Sequence, residues 1–500
     1  MTLVKIKAKD GSPVEFIQKD PKQGGMKDVY FAPDRSYVVA FFRKKLDVTG
    51  LERMEKLVGQ YRKGIFEQTG GDYWKNLYCW PEKIVEHNGL TGIVVPTYQS
   101  HFFFGQSTSL AGGEKEGKWF ASPKNFNRFV PAEEKGDLFK YFQICLKLAR
   151  AVRRLHAAGL AHSDLSYKNC LVDPAGGNAC IIDIDGLVVP GLFPPDVVGT
   201  PDFIAPEVVA TLRLPMKNPD GTLNTNRKLP CRATDQHALS VLIYMYLFHR
   251  HPLRGPKVHH EDAETQELLE MGEKALFIEH PTDTTNFPKK FSERDTRDCM
   301  PWLDPVKLPY KMYGPLLKKL FEQAFIDGLH DPSRRPTADE WEDALVRTAD
   351  MIQPCPNKSC VKKWFIFDNT AKPKCPYCGT AYTGVLPVLD FYSVRRQGES
   401  YRPDNHRLMV FNGQSLSQWH VDRTIFPNEK LTPEQRKRVG YFQFHNGKWF
   451  LVNETLPGMK NITTDKPIPI KGNVELTEGL QLLLSPEATG RVVNVKIVNG

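Results

Sequence analysis

The chain has 500 residues, a net charge of +9 and 41% hydrophobic content. That length suits two to four domains at about 150 residues each, and the apolar fraction is that of an ordinary globular protein. The basic residues are scattered, which argues against a dedicated nucleic-acid surface. The N-terminus, Met1 to Asp10, alternates apolar and basic residues. It reads as a first strand and lacks the apolar core of a signal peptide. The most apolar helix candidate, Leu239 to Phe248, falls well below the roughly 20 residues that span a bilayer. A soluble, cytoplasmic protein with no membrane and no nucleic-acid partner is expected.

Residues 1 to about 100 alternate short apolar strands with turns and contain one helix. In Gln23-Gly24-Gly25-Met26-Lys27-Asp28-Val29-Tyr30 a glycine pair leads into a strand. That is either a plain turn or a loop whose backbone N–H groups lie against phosphates. The next strand, Ser36 to Phe42, runs into Arg43 and Lys44, of which pleat alternation sends only one inward. Leu51 to Phe66 has helical spacing, with Leu51, Met54, Leu57, Val58, Tyr61 and Ile65 on one side. Gly92 to Tyr98 reads as a buried strand that exits into a loop, and Gly105 to Lys118 as a polar, glycine-rich insertion. Gly136 to His156 is a strongly amphipathic helix, stopped by Gly159.

Three motifs follow in order. His162-Ser163-Asp164-Leu165 leads through Lys168 to Asn169, five residues after Asp164. Cys180-Ile181-Ile182-Asp183 is a short buried strand ending in a carboxylate, with Asp185 two residues on. The stretch from Gly199 to Glu207 reads Gly-Thr-Pro-Asp-Phe-Ile-Ala-Pro-Glu. A pair of carboxylates on alternate residues suits a hard dication, although Asp185 also reads as a plain turn residue. Together the three motifs resemble the catalytic loop, metal-binding strand end and activation-segment anchor of protein kinases, and the resemblance covers roughly residues 10 to 350.

That resemblance implies an α+β, two-lobed kinase-like fold and transfer of the γ-phosphate of ATP to a hydroxyl. Asp164 would orient the hydroxyl and accept its proton. Lys168 would support the transferring phosphate, because Ser166 stands where the usual lysine would. Asn169, Asp183 and Asp185 would hold Mg²⁺ or Mn²⁺. Gly24 and Gly25 would cover the phosphates, and Thr97 and Tyr98 would lie at the interlobe hinge beside the nucleotide. The small lobe departs from the family: no lysine stands near Phe42, so Lys27, Arg43 or neither completes the phosphate clamp. Glu55 would pair that cation, with Glu52 as runner-up. Glu207 should pair with buried Arg335, while His162 and Asp235 brace the loop. Thr200 is the only hydroxyl residue between Asp183 and Glu207, so no activation phosphosite is evident.

Six of the ten cysteines are scattered singly, as buried thiols would be. Cys355, Cys360, Cys375 and Cys378 cluster in two pairs. Four thiolates suit a closed, structural Zn²⁺ site better than a redox pair. Residues 385–500 are strand-rich, with His445-Asn446-Gly447-Lys448 as a hairpin turn. Their order resembles the second half of a forkhead-associated sandwich, although Gly-Arg and Ser-x-x-His phosphate-reading motifs are not evident. The expected organisation is therefore a kinase-like small lobe (1–100), a large lobe (101–350), a zinc ribbon (351–384) and a forkhead-associated-like β-sandwich (385–500). This combination resembles bacterial Ser/Thr kinases linked to tellurite-resistance systems. Besides a protein substrate, it implies a PP2C-type phosphatase and a von Willebrand A-domain protein as companions. The alternatives are a kinase-fold enzyme acting on a small molecule and a pseudokinase scaffold that binds nucleotide and partners.

Overall fold

The computed structural model describes residues 2–499 apart from 20, 24, 25, 69, 107, 190, 191, 194–198, 223, 369–371 and 397. Helices and strands occupy different stretches, giving a mixed α+β chain. It forms two compact units: 1–136 with 140–309 and 320–342, and 137–139 with 310–319 and 343–500. Residues 1–100 and most of 101–350 fall in the first unit; 137–139, 310–319 and 343–350 belong to the second, with the cysteine-rich segment and the strand-rich tail.

The first unit opens with a hairpin of β1 (Thr2–Lys7) and β2 (Pro13–Gln18). An antiparallel sheet follows, formed by β3 (Lys22–Gln23), β4 (Lys27–Phe31), β5 (Tyr37–Phe42), β6 (Lys83–His87) and β7 (Leu90–Pro96) in the order β3-β4-β5-β7-β6. Pleat alternation divides β5 between two surfaces. Val39 and Phe41 pack with Phe16, Val85 and Val94 under the hairpin. Val38, Ala40 and Phe42 face the other way, into a large cleft. Register carries the same split to β4, where Lys27 lies opposite Phe42 and Val29 opposite Ala40.

The expected small-lobe helix is α1 (Val48–Lys56), a wider π-helical run over Leu57–Tyr61, and α2 (Arg62–Phe66). Asp47 caps it by accepting a hydrogen bond from the Gly50 N–H at 2.7 Å. The helical half of the unit contains α3 (Leu138–Ala157), the hairpin β8 (Cys170–Asp173) and β9 (Asn178–Ile181), α4 (Pro206–Val209) and α5 (Arg232–Phe248). From Ala238 to Phe248 every residue of α5 is buried, so this helix is core on all sides.

In the second unit β10 (Ile352–Pro354) pairs with β11 (Trp364–Ile366). Ten further strands run from β12 (Val385–Ser393), β13 (Arg402–Met409), β14 (Ser415–Ser417), β15 (Arg438–His445) and β16 (Lys448–Asn453) through β17 (Lys460–Asn461), β18 (Lys466–Pro467), β19 (Asn473–Glu475) and β20 (Gln481–Leu483) to β21 (Arg491–Asn499). They form two sheets, ordered β13-β12-β21-β20-β17-β18 and β14-β15-β16-β19. The expected hairpin joins β15 to β16, with Asn446 and Gly447 both at positive φ, as a type I′ turn requires.

One expectation for this unit needs correcting. Ser417-Gln418-Trp419-His420, at the start of α6 (Gln418–Val421), does have Ser-x-x-His spacing. Both residues are buried, however, and their contacts are internal. His420 Nδ1 accepts from the Ser417 N–H at 3.0 Å, so its Nε2 carries the proton and donates to Asp350 Oδ2 at 3.3 Å. Asp350 Oδ2 also lies 2.6 Å from His406 Nε2. The three residues form a bracing network whose facing nitrogen and oxygen atoms are already engaged.

Candidate active site

The loop that follows α3 is held from below. Gly159, at φ +80°, reverses the chain at the helix end. Asp235 of α5 then accepts from the His162 N–H at 2.7 Å and the Ser163 N–H at 3.2 Å. Ser163 sits at φ +67°, a left-handed conformation a serine adopts only when its surroundings impose it. His162 Nε2 donates to the Ile182 carbonyl at 2.9 Å, tying the loop to the end of β9. Asp164 is therefore presented by a fixed backbone. Its Oδ1 accepts from Thr200 N at 2.6 Å and Thr200 Oγ1 at 2.8 Å; its Oδ2 accepts from Asn169 Nδ2 at 2.9 Å. Asn169 Nδ2 also donates to the Asp164 carbonyl at 2.8 Å. The amide is thereby oriented so that its oxygen remains for a cation.

The Gly199–Glu207 segment that brings Thr200 to Asp164 is anchored at its far end. Glu207 takes two hydrogen bonds from Arg335, NH1 to Oε1 at 2.8 Å and NH2 to Oε2 at 2.6 Å. The guanidinium also reaches the carbonyls of Ala233, Gly328 and Leu329.

Asp183 and Asp185 converge, though not by pleat alternation as expected. The strand ends at Ile181, Asp183 turns left-handed (φ +60°, ψ +43°), and Ile184–Gly186 forms a 3₁₀ turn. The reversal, rather than a two-residue repeat, brings both carboxylates to one point. That point is occupied by Lys27 of β4. Its Nζ lies 2.5 Å from both oxygens of Asp185 and 3.2 Å from Asp183 Oδ1. Burial alone would push the Lys27 ammonium down; the charge of Asp185, then that of Asp183, outweighs this and holds it above the ordinary lysine value. Lys27 also lies over the Phe42 ring, 5.5 Å from its centroid. The cation thus reaches the site from the strand beside the position where the family pattern places its lysine.

The other small-lobe candidates do not reach this point, although Arg43 lines the same cleft. Arg43 is turned to Asp28, Nε to Oδ1 at 2.8 Å. Glu55 is exposed and bound by Lys9, and Glu52 pairs with Lys56 on the helix surface at 3.1 Å. Neither glutamate meets Lys27, a correction with a simple cause. Burial of Met54 and Leu57 fixes the phase of the helix and rotates both acids outward. The cleft side of α1 carries Thr49, Gly50, Arg53 and Met54. Arg53 was not singled out from sequence, although its adjacency to Met54 places it on the buried flank.

The cleft has a volume of about 1560 Å³. Its walls include Val29, Ala40, Ile93, Val95 and Ile182, with Thr97 and Tyr98 at the strand exit. The Thr97 hydroxyl is buried with no hydrogen-bond partner among the described residues, and burial holds the Tyr98 phenol well above its ordinary value. Lys168 is exposed and does not line the cleft, so its expected place beside the phosphate is not where the structure puts it. Gly24 and Gly25 lie outside the described residues. The donor set fits Mg²⁺: Asp183 uses only Oδ1 toward Lys27, and both it and Asn169 retain a hard oxygen. Apolar walls and a cation fit a nucleotide triphosphate.

In the second unit the four clustered cysteines converge with all sulfur atoms within 4.8 Å of one another. Cys355 and Cys378 are 3.5 Å apart, Cys360 and Cys375 3.8 Å, and none is in a disulfide. Gly379, at φ +74°, lets its N–H turn back to the Cys375 carbonyl at 2.9 Å, the backbone of a knuckle. Such a set fits a closed tetrahedral Zn²⁺. Purified protein should carry about one zinc per chain by elemental analysis, and chelation should expose the 351–384 segment to protease. A metal-free preparation with unchanged protease resistance would contradict this.

Lys27, Asp164 and Asp183 line one cleft between the strand-rich and helical halves of the first unit, the two-lobed, kinase-like arrangement that the sequence motifs imply. No protein-family model matches the chain. A Caenorhabditis elegans protein described as death-associated protein kinase dapk-1 is 32% identical over 108 residues, which is 21% of this chain and 6% of that protein. The chain therefore matches only a small part of that relative's length. Two solved kinase structures from Toxoplasma gondii, a specific rhoptry antigen kinase domain and a rhoptry kinase, share 13% identity with the chain at TM-score 0.39. Each covers 70% of this chain, and 86% and 84% of its own. Among the described residues no helix is long and apolar enough to cross a membrane.

Proposed function

We propose that the first unit is an ATP- and Mg²⁺-dependent Ser/Thr protein kinase. The observation that carries this reading is the meeting of Lys27 with Asp183 and Asp185 in the cleft that also holds Asp164. Asp164, fixed by Thr200 and Asn169, orients a substrate hydroxyl and takes its proton as that oxygen bonds the γ-phosphorus and ADP leaves. Lys27 holds the phosphates. Asn169 and Asp183 would hold Mg²⁺, which would neutralise triphosphate charge. The test is transfer from labelled ATP to a generic protein substrate, with Asp164→Ala alongside. Transfer should fall about 10²–10⁴-fold in the variant. Wild-type protein transferring no more than the variant would end the kinase reading.

The exposure of Lys168 and the burial of Ser166 favour a second reading. With no catalytic-loop cation on the transferring phosphate, the unit would be a pseudokinase scaffold that binds nucleotide and partners. Nucleotide binding without transfer under any substrate or partner is its signature. For the second unit we propose a zinc-stabilised ribbon and a forkhead-associated-like docking sandwich. The adjacency of its first and last long strands, β12 and β21, supports the latter. A PP2C-type phosphatase and a von Willebrand A-domain protein are the proposed companions.

A further inference from the structure

We infer that Asp185 is the positioning carboxylate of Lys27, doing from the strand-end turn what a helix glutamate would otherwise do across the cleft. The inference rests on the phosphate-handling reading of the cleft, and it removes Asp185 from the metal-ligand set.

Four observations carry it. First, the two aspartates bind Lys27 differently. Asp185 closes on Nζ with both oxygens at 2.5 Å, so the ammonium engages the whole carboxylate. Asp183 offers one oxygen at 3.2 Å and keeps the other. Second, their exposures differ in the matching sense. The Asp185 side chain is 13% exposed, close to the 16% of Lys27, whereas that of Asp183 is 52% exposed. A buried, two-oxygen pair fixes an ammonium; an exposed carboxylate with a free oxygen accepts a hydrated dication. Third, α1 presents no acid to the cleft. Its glutamates are engaged outside, by Lys9 and Lys56, and Arg53 stands on the cleft side. Fourth, Lys27 comes from β4, on the cleft face opposite Phe42. From there the turn at Ile184–Gly186 is within direct reach, and no bridge from the helix is required.

A consequence for control follows. Where the clamp lysine depends on a helix carboxylate, moving the helix breaks the clamp. Here lysine partner and metal ligand stand two residues apart in one turn, 183–186. Displacing α1 leaves Lys27 in place, and displacing the 183–186 turn removes both functions together.

The test is a double-mutant cycle on MgATP binding, measured by calorimetry at saturating Mg²⁺ with wild type, Lys27→Ala, Asp185→Ala and the double variant. A Mg²⁺ titration at fixed ATP is run beside it. Asp185→Asn, nearly identical in shape, serves if Asp185→Ala melts early. Each single change should weaken binding about tenfold, the scale of one charge-assisted hydrogen bond. The double variant should bind no more weakly than Lys27→Ala alone, because a positioning residue has no effect without the residue it positions. The Mg²⁺ midpoint should stay put in Asp185→Asn and rise in Asp183→Asn. If the two single effects multiply in the double variant, or Asp185→Asn moves the Mg²⁺ midpoint as far as Asp183→Asn, Asp185 is a metal ligand and the inference is wrong. Wild-type protein that binds no nucleotide would instead overturn the kinase reading beneath it.

Discussion

Lys27→Ala should lower kcat/KM for phosphoryl transfer by about 10²–10³-fold, the usual cost of removing one preorganised electrostatic contact. Adding Phe42→Lys to it should recover about a tenth or more of the loss, since cross-strand partners place their Cβ atoms only about 5 Å apart. The register Lys27–Phe42 puts the two side chains on the same face of the sheet, over the same cleft. A lysine at 42 therefore starts beside the present one and has the same two carboxylates to reach. Arg43→Ala should be nearly silent, because the Arg43 guanidinium is turned to Asp28 rather than to Asp183 and Asp185. Transfer assays on these variants decide the matter. A Lys27→Ala protein within twofold of wild type, or an Arg43→Ala protein as damaged as Lys27→Ala is expected to be, would refute the relocated clamp.

Why Lys27 could be suspected but not placed from sequence is a matter of register. The motifs of the helical half have fixed spacings along the chain, so Asp164, Asn169 and Asp183 could be named together from the sequence. The partnership of Glu207 with Arg335 could also be read, each residue lying inside its own short motif. The lysine depends on which residue of β4 lies across from Phe42. That is set by the length of the turn between β4 and β5, and a slip of one residue would have turned Lys27 away. Glu55 failed for the opposite reason. The apolar stripe through Met54 and Leu57 already defined the buried side of α1, and Glu55 stands next to that stripe rather than on it. The convergence of Asp183 and Asp185 was anticipated but its cause was not, because a left-handed aspartate leaves no mark in composition. Buried Arg53 and the inward-facing Ser417–His420 pair show the same limit. Residue type suggests exposure or function, while packing on both sides decides.

Arg335→Ala is expected to destabilise the first unit by about 3 kcal/mol, the lower end for breaking a buried ion pair, because the Glu207 side chain is 22% exposed. At roughly 1.5 °C per kcal/mol for a unit of about 330 residues, the thermal midpoint should fall by about 4–5 °C. The loss has two parts. Glu207 is left with an unpaired charge, and the carbonyls of Ala233, Gly328 and Leu329 lose a donor in a place where the Arg335 side chain is 1% exposed. Arg43→Ala supplies the contrast. Its pair with Asp28 is 38% and 31% exposed, and solvent screening keeps such pairs within about 1 kcal/mol. The buried pair should also matter for activity well below the melting point. Glu207 anchors the segment whose Thr200 holds Asp164 Oδ1, so loosening that end frees the carboxylate that must receive the proton. Transfer at 25 °C should therefore fall in Arg335→Ala while MgATP binding, which depends on Lys27 and Asp183 across the cleft, stays near wild type. Calorimetric melting together with kcat and nucleotide affinity for the two variants separates these effects. An Arg335→Ala protein that melts with wild type, or one that loses nucleotide binding as steeply as transfer, would show that Glu207 and Arg335 do not anchor the loop in this way.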